Sequence, residues 1–198
     1  MRPVAEILRE TGGLLEGHFL LSSGRHSDSY LQLAAPFQHP DTAAELATGL
    51  AARVRARGIR PATILGPALG AILPGYELAR ALGVRFVFCE RAEDRRFALR
   101  RGFTFAADEP VIICENTLTT GGSALEALAL ARAEGARVVG VAVYCDRLED
   151  PSTVFDVPYM ALERFALRSW AAEDCLLCRA GSVPVKPGSR PVGGLPNR

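Results

Sequence analysis

The sequence predicts an α/β fold, a mainly parallel sheet flanked by helices. Short, nearly continuous apolar runs recur at Ala62–Leu65, Arg85–Cys89, Val111–Glu115 and Val138–Cys145. Strands that are covered on both faces read this way, because neither face can tolerate a regular polar alternation. Helix-like segments, Ala71–Leu82 and Ala124–Glu134, fall between the runs, and glycine-bearing turns follow two of them, at Gly66–Gly70 and Gly121–Gly122. Repeated strand–loop–helix order is the signature of a parallel sheet with crossover helices.

Each element has its own signal. Val4–Glu10 reads as a short helix, and Phe19–Ser22 and Ser29–Ala34 as short strands around the polar turn Ser23–Asp28. Asp41–Arg57 follows Pro40, sets Leu46, Leu50 and Val54 on one face, and stops at Gly58, so it reads as a helix. Charged Glu90–Arg101 interrupts the sheet pattern before the Val111 strand. From Gly181 the chain is rich in Pro and Gly and reads as an extended tail, with Cys175 and Cys178 in an irregular stretch before it.

With 198 residues, 48% of them hydrophobic, the chain fits one domain with at most a small appendage. A net charge of +1 gives no general attraction to nucleic acid or anionic membrane. No run approaches the ~20 apolar residues of a membrane span, and the start Met1-Arg2-Pro3 lacks a signal-peptide core, so a cytoplasmic location is expected. Lys186 is the only lysine among 23 basic side chains.

Of the five cysteines, Cys89, Cys114 and Cys145 sit near the ends of apolar runs and read as small buried residues. Cys175 and Cys178 form a C-x-x-C. Two ligands do not complete a zinc site, so zinc would need a second chain or a geometry that the sequence does not disclose, and no residue is assigned as a metal ligand. His26 reads as an exposed turn histidine; His18 and His39 have no partner visible in sequence, and Trp170 reads as a packing residue.

The chemistry concentrates in Val111–Ser123. A buried strand runs into Glu115 and Asn116, then Thr119-Thr120-Gly121-Gly122-Ser123, then a helix. Glycines allow a tight turn, and the amides and positive dipole end of the following helix suit a phosphate, with the hydroxyls adding hydrogen bonds. The GKS or GKT ending of a Walker loop is missing. Gly66-Pro67-Ala68-Leu69-Gly70 also follows a strand and opens a helix, so its amides could hold a second anion. Arg147 ends a strand, well placed to take a planar carboxylate in a bidentate pair. Ligands of parallel sheets bind at these carboxyl ends.

The Glu115–Ser123 segment resembles the phosphoribosyl-diphosphate (PRPP) signature of type I phosphoribosyltransferases. Over nearly the whole chain the order of features resembles the orotate phosphoribosyltransferases in their short bacterial form: the Thr11–Ser27 stretch with its Ser-Gly-Arg-His-Ser turn, Glu90-Arg91 through Leu99–Phe103 as the mobile loop and its return, Asp146-Arg147, and Cys175–Cys178 followed by Lys186–Arg190. The resemblance implies a type I phosphoribosyltransferase fold with residues 1–40 as an N-terminal hood, 41–165 as the PRPP-binding core and 166–198 as a C-terminal segment and tail. It implies transfer of ribose 5-phosphate from PRPP to orotate, with Mg²⁺, in a homodimer. It also implies roles: Thr119, Thr120, Gly121, Gly122 and Ser123 on the 5′-phosphate, Glu115 and Asn116 at the ribose, Gly66 and Ala68 on diphosphate, and Thr119 and Arg147 on orotate. Two positions depart from the family pattern. Asn116 stands where the second acid is expected, and the mobile loop carries arginines in place of lysine, with Arg96 nearest the missing lysine and Arg91 as a further phosphate contact. Transfer to another base, or PRPP binding with weak catalysis, would use the same loop.

Overall fold

The structure, a computed structural model, describes residues 1–21, 23–148 and 154–187. Its main sheet has six strands: β3 (Thr63–Pro67), β4 (Arg85–Arg91), β5 (Phe97–Leu99), β6 (Pro110–Leu118), β7 (Arg137–Asp146) and β8 (Tyr159–Arg164). Their order is β5-β4-β3-β6-β7-β8, all parallel except β5, which returns antiparallel along β4. The predicted parallel sheet is therefore present, with two additions. The charged interruption contains β5, and β8 forms an edge that no continuous apolar run announces, because only alternate residues, Met160 and Leu162, are buried.

Strand alternation sends successive side chains to opposite faces and so builds two cores. Ile64, Ile112 and Cys114 join one cluster with Leu46, Leu50 and Val54 of α3 (Pro40–Ala56) and Leu78 of α4 (Ile72–Leu82). Leu65, Val111 and Ile113 join the other with Ala124, Ala127, Leu128 and Ala131 of α5 (Gly122–Ala133). The large aliphatic side chains on α3 are fully buried, each contributing about 1.5–3 kcal/mol of transfer free energy. Proline at its first turn starts α3, and Gly83, at φ 75°, ends α4 by accepting the left-handed conformation.

The hood is a second, antiparallel sheet in the order β1-β2-β9: β1 (Leu14–Leu20), β2 (His26–Leu31) and β9 (Ser169–Trp170). It rests on the short helices α1 (Val4–Glu10) and α2 (Ala34–Phe37), whose Val4, Ile7, Leu8 and Phe37 reach the first core. Both hood strands begin earlier than the apolar pattern predicts. Glu16-Gly17 breaks the apolar run while β1 bulges between Glu16 and Phe19, and His26 and Ser27 lie in β2, not in a turn. Ser22, the end of the predicted Phe19–Ser22 strand, lies outside the described residues. The C-x-x-C stretch is also ordered differently from the expectation: a 3₁₀ turn, Ala172–Asp174, leads into α6 (Leu176–Arg179). Of the predicted tail, residues 182–187 run extended, and Val185 bridges to Phe19 of β1; residues 188–198 lie outside the described residues.

Candidate active site

Three carboxyl ends of neighbouring strands meet here: the turn after β3, the Glu115–Ser123 segment leaving β6, and Asp146-Arg147 leaving β7. The β6 strand is longer than its apolar run predicts and continues through Asn116 to Leu118. Alternation therefore turns Glu115 and Asn116 to opposite sides. Glu115 follows Val111 and Ile113 to the α5 side, where it lines a small cleft with Thr117–Ala124. Asn116 follows Ile112 and Cys114 toward the hood and lines a larger cavity there.

The phosphate cradle has the predicted construction. Gly121 sits at φ 82° immediately before α5, and a Cβ there would lie 2.9 Å from Val154, so conformation and space both require glycine. The residue before α5 is Gly121, and no side chain among the described residues caps the helix. Its first N–H groups remain available to an anion, flanked by the hydroxyls of Thr119, Thr120 and Ser123. Glu115 is 7% exposed, and burial pushes its carboxyl up to about 7 against the lowering effect of the Asn116 backbone N–H. It is thus poised to change protonation near neutrality.

The Gly66–Gly70 turn differs in which amides it offers. Gly66 is buried within β3, and a Cβ would meet the Ala71 carbonyl oxygen at 2.6 Å; Ala68 donates its N–H to Cys89 O at 2.8 Å. Gly66 therefore shapes the turn, and Ala68 has no free N–H to give. The N–H groups of Leu69 and Gly70 make no backbone hydrogen bond among the described residues and are the donors this turn has left. Gly70 also lies against Asn116: a Cβ would come within 2.7 Å of Nδ2, while Oδ1 accepts the Thr117 N–H at 2.6 Å.

The hood-side cavity is about 560 Å³, bounded by Leu20, Arg25 and Tyr30 of the hood, Asn116, Thr119 and Arg147 of the core, and Lys186 and Pro187 of the C-terminal segment. Arg25, from the Ser-Gly-Arg turn, is anchored by Nε to Ser169 Oγ (3.0 Å) and by its terminal nitrogen to Ser169 O (2.8 Å). Asp146, almost fully buried, accepts the Leu148 N–H at 2.8 Å and pairs with Arg164 at 3.6 Å, fixing the bend that carries Arg147 inward. Arg147 Nε is buried with no hydrogen-bond partner among the described residues. Burial also pulls its pKa down, a cost that a bound anion would remove.

Arg91 and Arg96 are not brought to either cleft. Arg91 pairs with Glu126 of α5 at 2.6 Å and lies over the Phe97 ring at 3.8 Å. Arg96 is exposed on the tight β4–β5 turn, its N–H bonded to Asp94. The charged stretch folds back on its own chain because β5 pairs with β4, a pairing that charge composition could not reveal. Lys186, Arg25 and Tyr30 line the cavity without having been assigned a role from sequence. For Lys186 a signal existed: it is the one lysine in a chain that otherwise uses arginine.

Comparison with known proteins agrees with this geometry. The phosphoribosyl transferase domain family matches residues 37–170. An orotate phosphoribosyltransferase of Wolinella succinogenes is 46% identical, the match covering 94% of this chain and 97% of that protein. Among solved structures, orotate phosphoribosyltransferase from Aeropyrum pernix superposes with a TM-score of 0.72 at 20% identity, covering 82% of this chain and 94% of that one. Adenine phosphoribosyltransferase from Leishmania tarentolae gives 0.63 at 20% identity over 82% and 88%, so the fold by itself does not choose the base. By the family match over its core and the near-full-length identity, the chain belongs to the phosphoribosyltransferases and, among them, to the orotate phosphoribosyltransferases.

Proposed function

We propose that the protein transfers ribose 5-phosphate from PRPP to N1 of orotate, releasing diphosphate and forming orotidine 5′-monophosphate, a step of pyrimidine synthesis. The observation that carries the choice of base is the buried Nε of Arg147 in the hood-side cavity, without a hydrogen-bond partner among the described residues. A planar carboxylate is the partner that a guanidinium edge takes best. Thr119 lines both clefts and so stands between the two substrates.

The 5′-phosphate occupies the Thr119–Ser123 cradle, held by the free amides at the start of α5 and the adjacent hydroxyls. Glu115 accepts hydrogen bonds from ribose hydroxyls, and its negative charge favours the cation that develops at the anomeric carbon as diphosphate leaves. Asn116 can hydrogen-bond a ribose hydroxyl but adds no charge. Arg147 fixes orotate so that N1 attacks without a strong base, which makes orientation the main contribution of the hood-side cavity. The donors around the cradle are all oxygen, with Glu115 the single carboxylate lining it among the described residues. That set fits Mg²⁺, which takes most of its ligands from substrate phosphates and water and would neutralise charge on the leaving diphosphate.

We also propose a cytoplasmic homodimer. Leu69, Leu73 and Tyr76 are 84%, 56% and 54% exposed along one side of the β3–α4 turn and α4, an apolar surface that a second copy would cover. No helix among the described residues is long and apolar enough to cross a membrane.

The test is loss of orotate absorbance with PRPP and Mg²⁺, beside uracil and adenine. Turnover with orotate alone is expected, and Asn116→Asp should raise kcat by about 30-fold or more, the lower end of the 2–4 kcal/mol that one well-placed electrostatic group supplies. Turnover with adenine or uracil in preference to orotate would overturn the reading.

A further inference from the structure

His18 of β1, His26 of β2, Cys175 just before α6 and Cys178 within it converge on one point, although 157 residues separate His18 from Cys175. One side-chain donor atom from each lies within 4.8 Å of the other three. His18 Nε2 is 3.0 Å from His26 Nδ1, 3.3 Å from Cys175 Sγ and 3.8 Å from Cys178 Sγ; Cys178 Sγ is 3.3 Å from His26 Nδ1. Both histidines and Cys175 are buried.

Hydrogen bonding does not account for this arrangement. An imidazole nitrogen has a single in-plane direction in which to donate or accept, yet His18 Nε2 faces three partners. The other ring nitrogen, Nδ1, lies 3.1 Å from Ser182 Oγ. With Nδ1 donating to that hydroxyl, Nε2 is left as a lone pair aimed into the cluster, which is the tautomer a metal ligand needs. A tetrahedral zinc ion, with Zn–N of about 2.0–2.1 Å and Zn–S of about 2.3 Å, holds its ligand atoms about 3.3–3.8 Å apart. The four separations given above match that spacing to within a few tenths of an ångström. Two thiolates and two neutral imidazoles also balance the charge of a divalent ion, so the buried set carries no net charge. The softness of the sulfur ligands and the absence of an open position select zinc in a structural role.

We propose that His18 Nε2, His26 Nδ1, Cys175 Sγ and Cys178 Sγ bind one Zn²⁺ that fastens the C-terminal segment to the hood. The consequence for the cavity follows from the chain path. Six residues beyond α6, Val185 donates its N–H to His18 O at 2.8 Å and accepts from Leu20 N–H at 2.8 Å, and the next two residues, Lys186 and Pro187, line the cavity beside Arg147. The ion thus sets the edge along which Lys186 reaches the cavity. The histidines come from one hairpin and the cysteines from a segment about 150 residues later, which explains why a C-x-x-C alone could not disclose the site.

The experiment is elemental analysis of the full chain purified under reducing conditions, followed by exchange with Co²⁺. About one equivalent of zinc per chain is expected, as are the visible bands of tetrahedral Co²⁺ with a thiolate-to-cobalt charge-transfer band in the near ultraviolet. Cys178→Ser should lose the ion, Cys89→Ala should keep it, and Ser182→Ala should weaken zinc affinity about tenfold by freeing the His18 ring. Should Cys178→Ser fail to fold, the Co²⁺ spectrum of the unaltered chain and the Ser182→Ala affinity still decide. A reduced chain that neither contains nor takes up zinc, a Cys175–Cys178 disulfide in its place, or zinc retained at full affinity by Cys178→Ser would overturn the proposal. None of these readings requires substrate, so the zinc site stands or falls apart from the transfer activity.

Discussion

Glu115→Gln should make the unliganded protein more stable while removing most of its activity. Burial raises the Glu115 carboxyl from 4.5 to about 7. At about 1.4 kcal/mol per pH decade this corresponds to about 3 kcal/mol against the folded state once the group is ionised in both states. The sign follows from proton binding. Between pH 4.5 and about 7 the folded chain keeps a proton that the unfolded chain has released, so the stabilising contribution of the neutral carboxyl is lost as pH rises through that window. Glutamine fills the same space without a charge to bury. For a domain of this size 1 kcal/mol shifts Tm by about 2–4 °C, so the variant should melt about 6–12 °C higher at pH 8 and nearly level with the parent at pH 4.5. Differential scanning calorimetry at several pH values reads the gap directly. A gap that is independent of pH, or a variant that melts lower at pH 8, would refute the argument that Glu115 is held in a desolvated site. The kinetic counterpart is an acid limb in kcat/KM with an apparent pKa near 7, lost in the variant.

Arg147→Ala should raise KM for orotate by about 10- to 150-fold, the range of a charge-assisted hydrogen bond at 1.5–3 kcal/mol, with KM for PRPP little changed; steady-state kinetics with each substrate varied will separate the two. Gly70→Ala puts a Cβ 2.7 Å from Asn116 Nδ2, so it should cost about 1–3 kcal/mol and lower kcat together with Tm, checked by kinetics and thermal melts. Tyr144→Phe removes a buried hydroxyl that donates to Pro74 O at 2.9 Å and should destabilise the chain by about 1–2 kcal/mol in urea denaturation without altering KM for either substrate.

The parallel core was legible because its strands are buried on both faces, and Ile112, Ile113 and Val141 have no reason to be anything but apolar. The phosphate cradle was legible for a related reason: only glycine fits Gly121, and hydroxyls beside a helix start have few other uses. The edge strands, and the starts of the hood strands, were not. β8 buries alternate residues only, and β1 carries Glu16 and Gly17 across a bulge, so neither offers the continuous run that identified the other strands. His26 sits in a stretch of small polar residues that reads as a turn, and its burial depends on Trp170, with which it pairs across 144 residues. Arg91 and Arg96 lie away from both clefts of their own chain. Their charge suggested ligands, but once β5 folds back Arg91 pairs with Glu126, and Asp94 takes the backbone N–H of Arg96 and holds the turn that carries it.

The hood is woven from both halves of the chain: β1 and β2 precede the core, while β9 and the Val185 bridge follow it. During synthesis the ribosome delivers the Thr119–Ser123 cradle and the helix behind it many residues before it delivers Ser169, Lys186 and Pro187. A nascent chain halted at the end of β8 would own every group assigned to the sugar phosphate yet lack three walls of the cavity assigned to the base. The parts of the protein assigned to the two substrates thus come into existence at different times, and the base cavity is the last part of the described molecule to be completed.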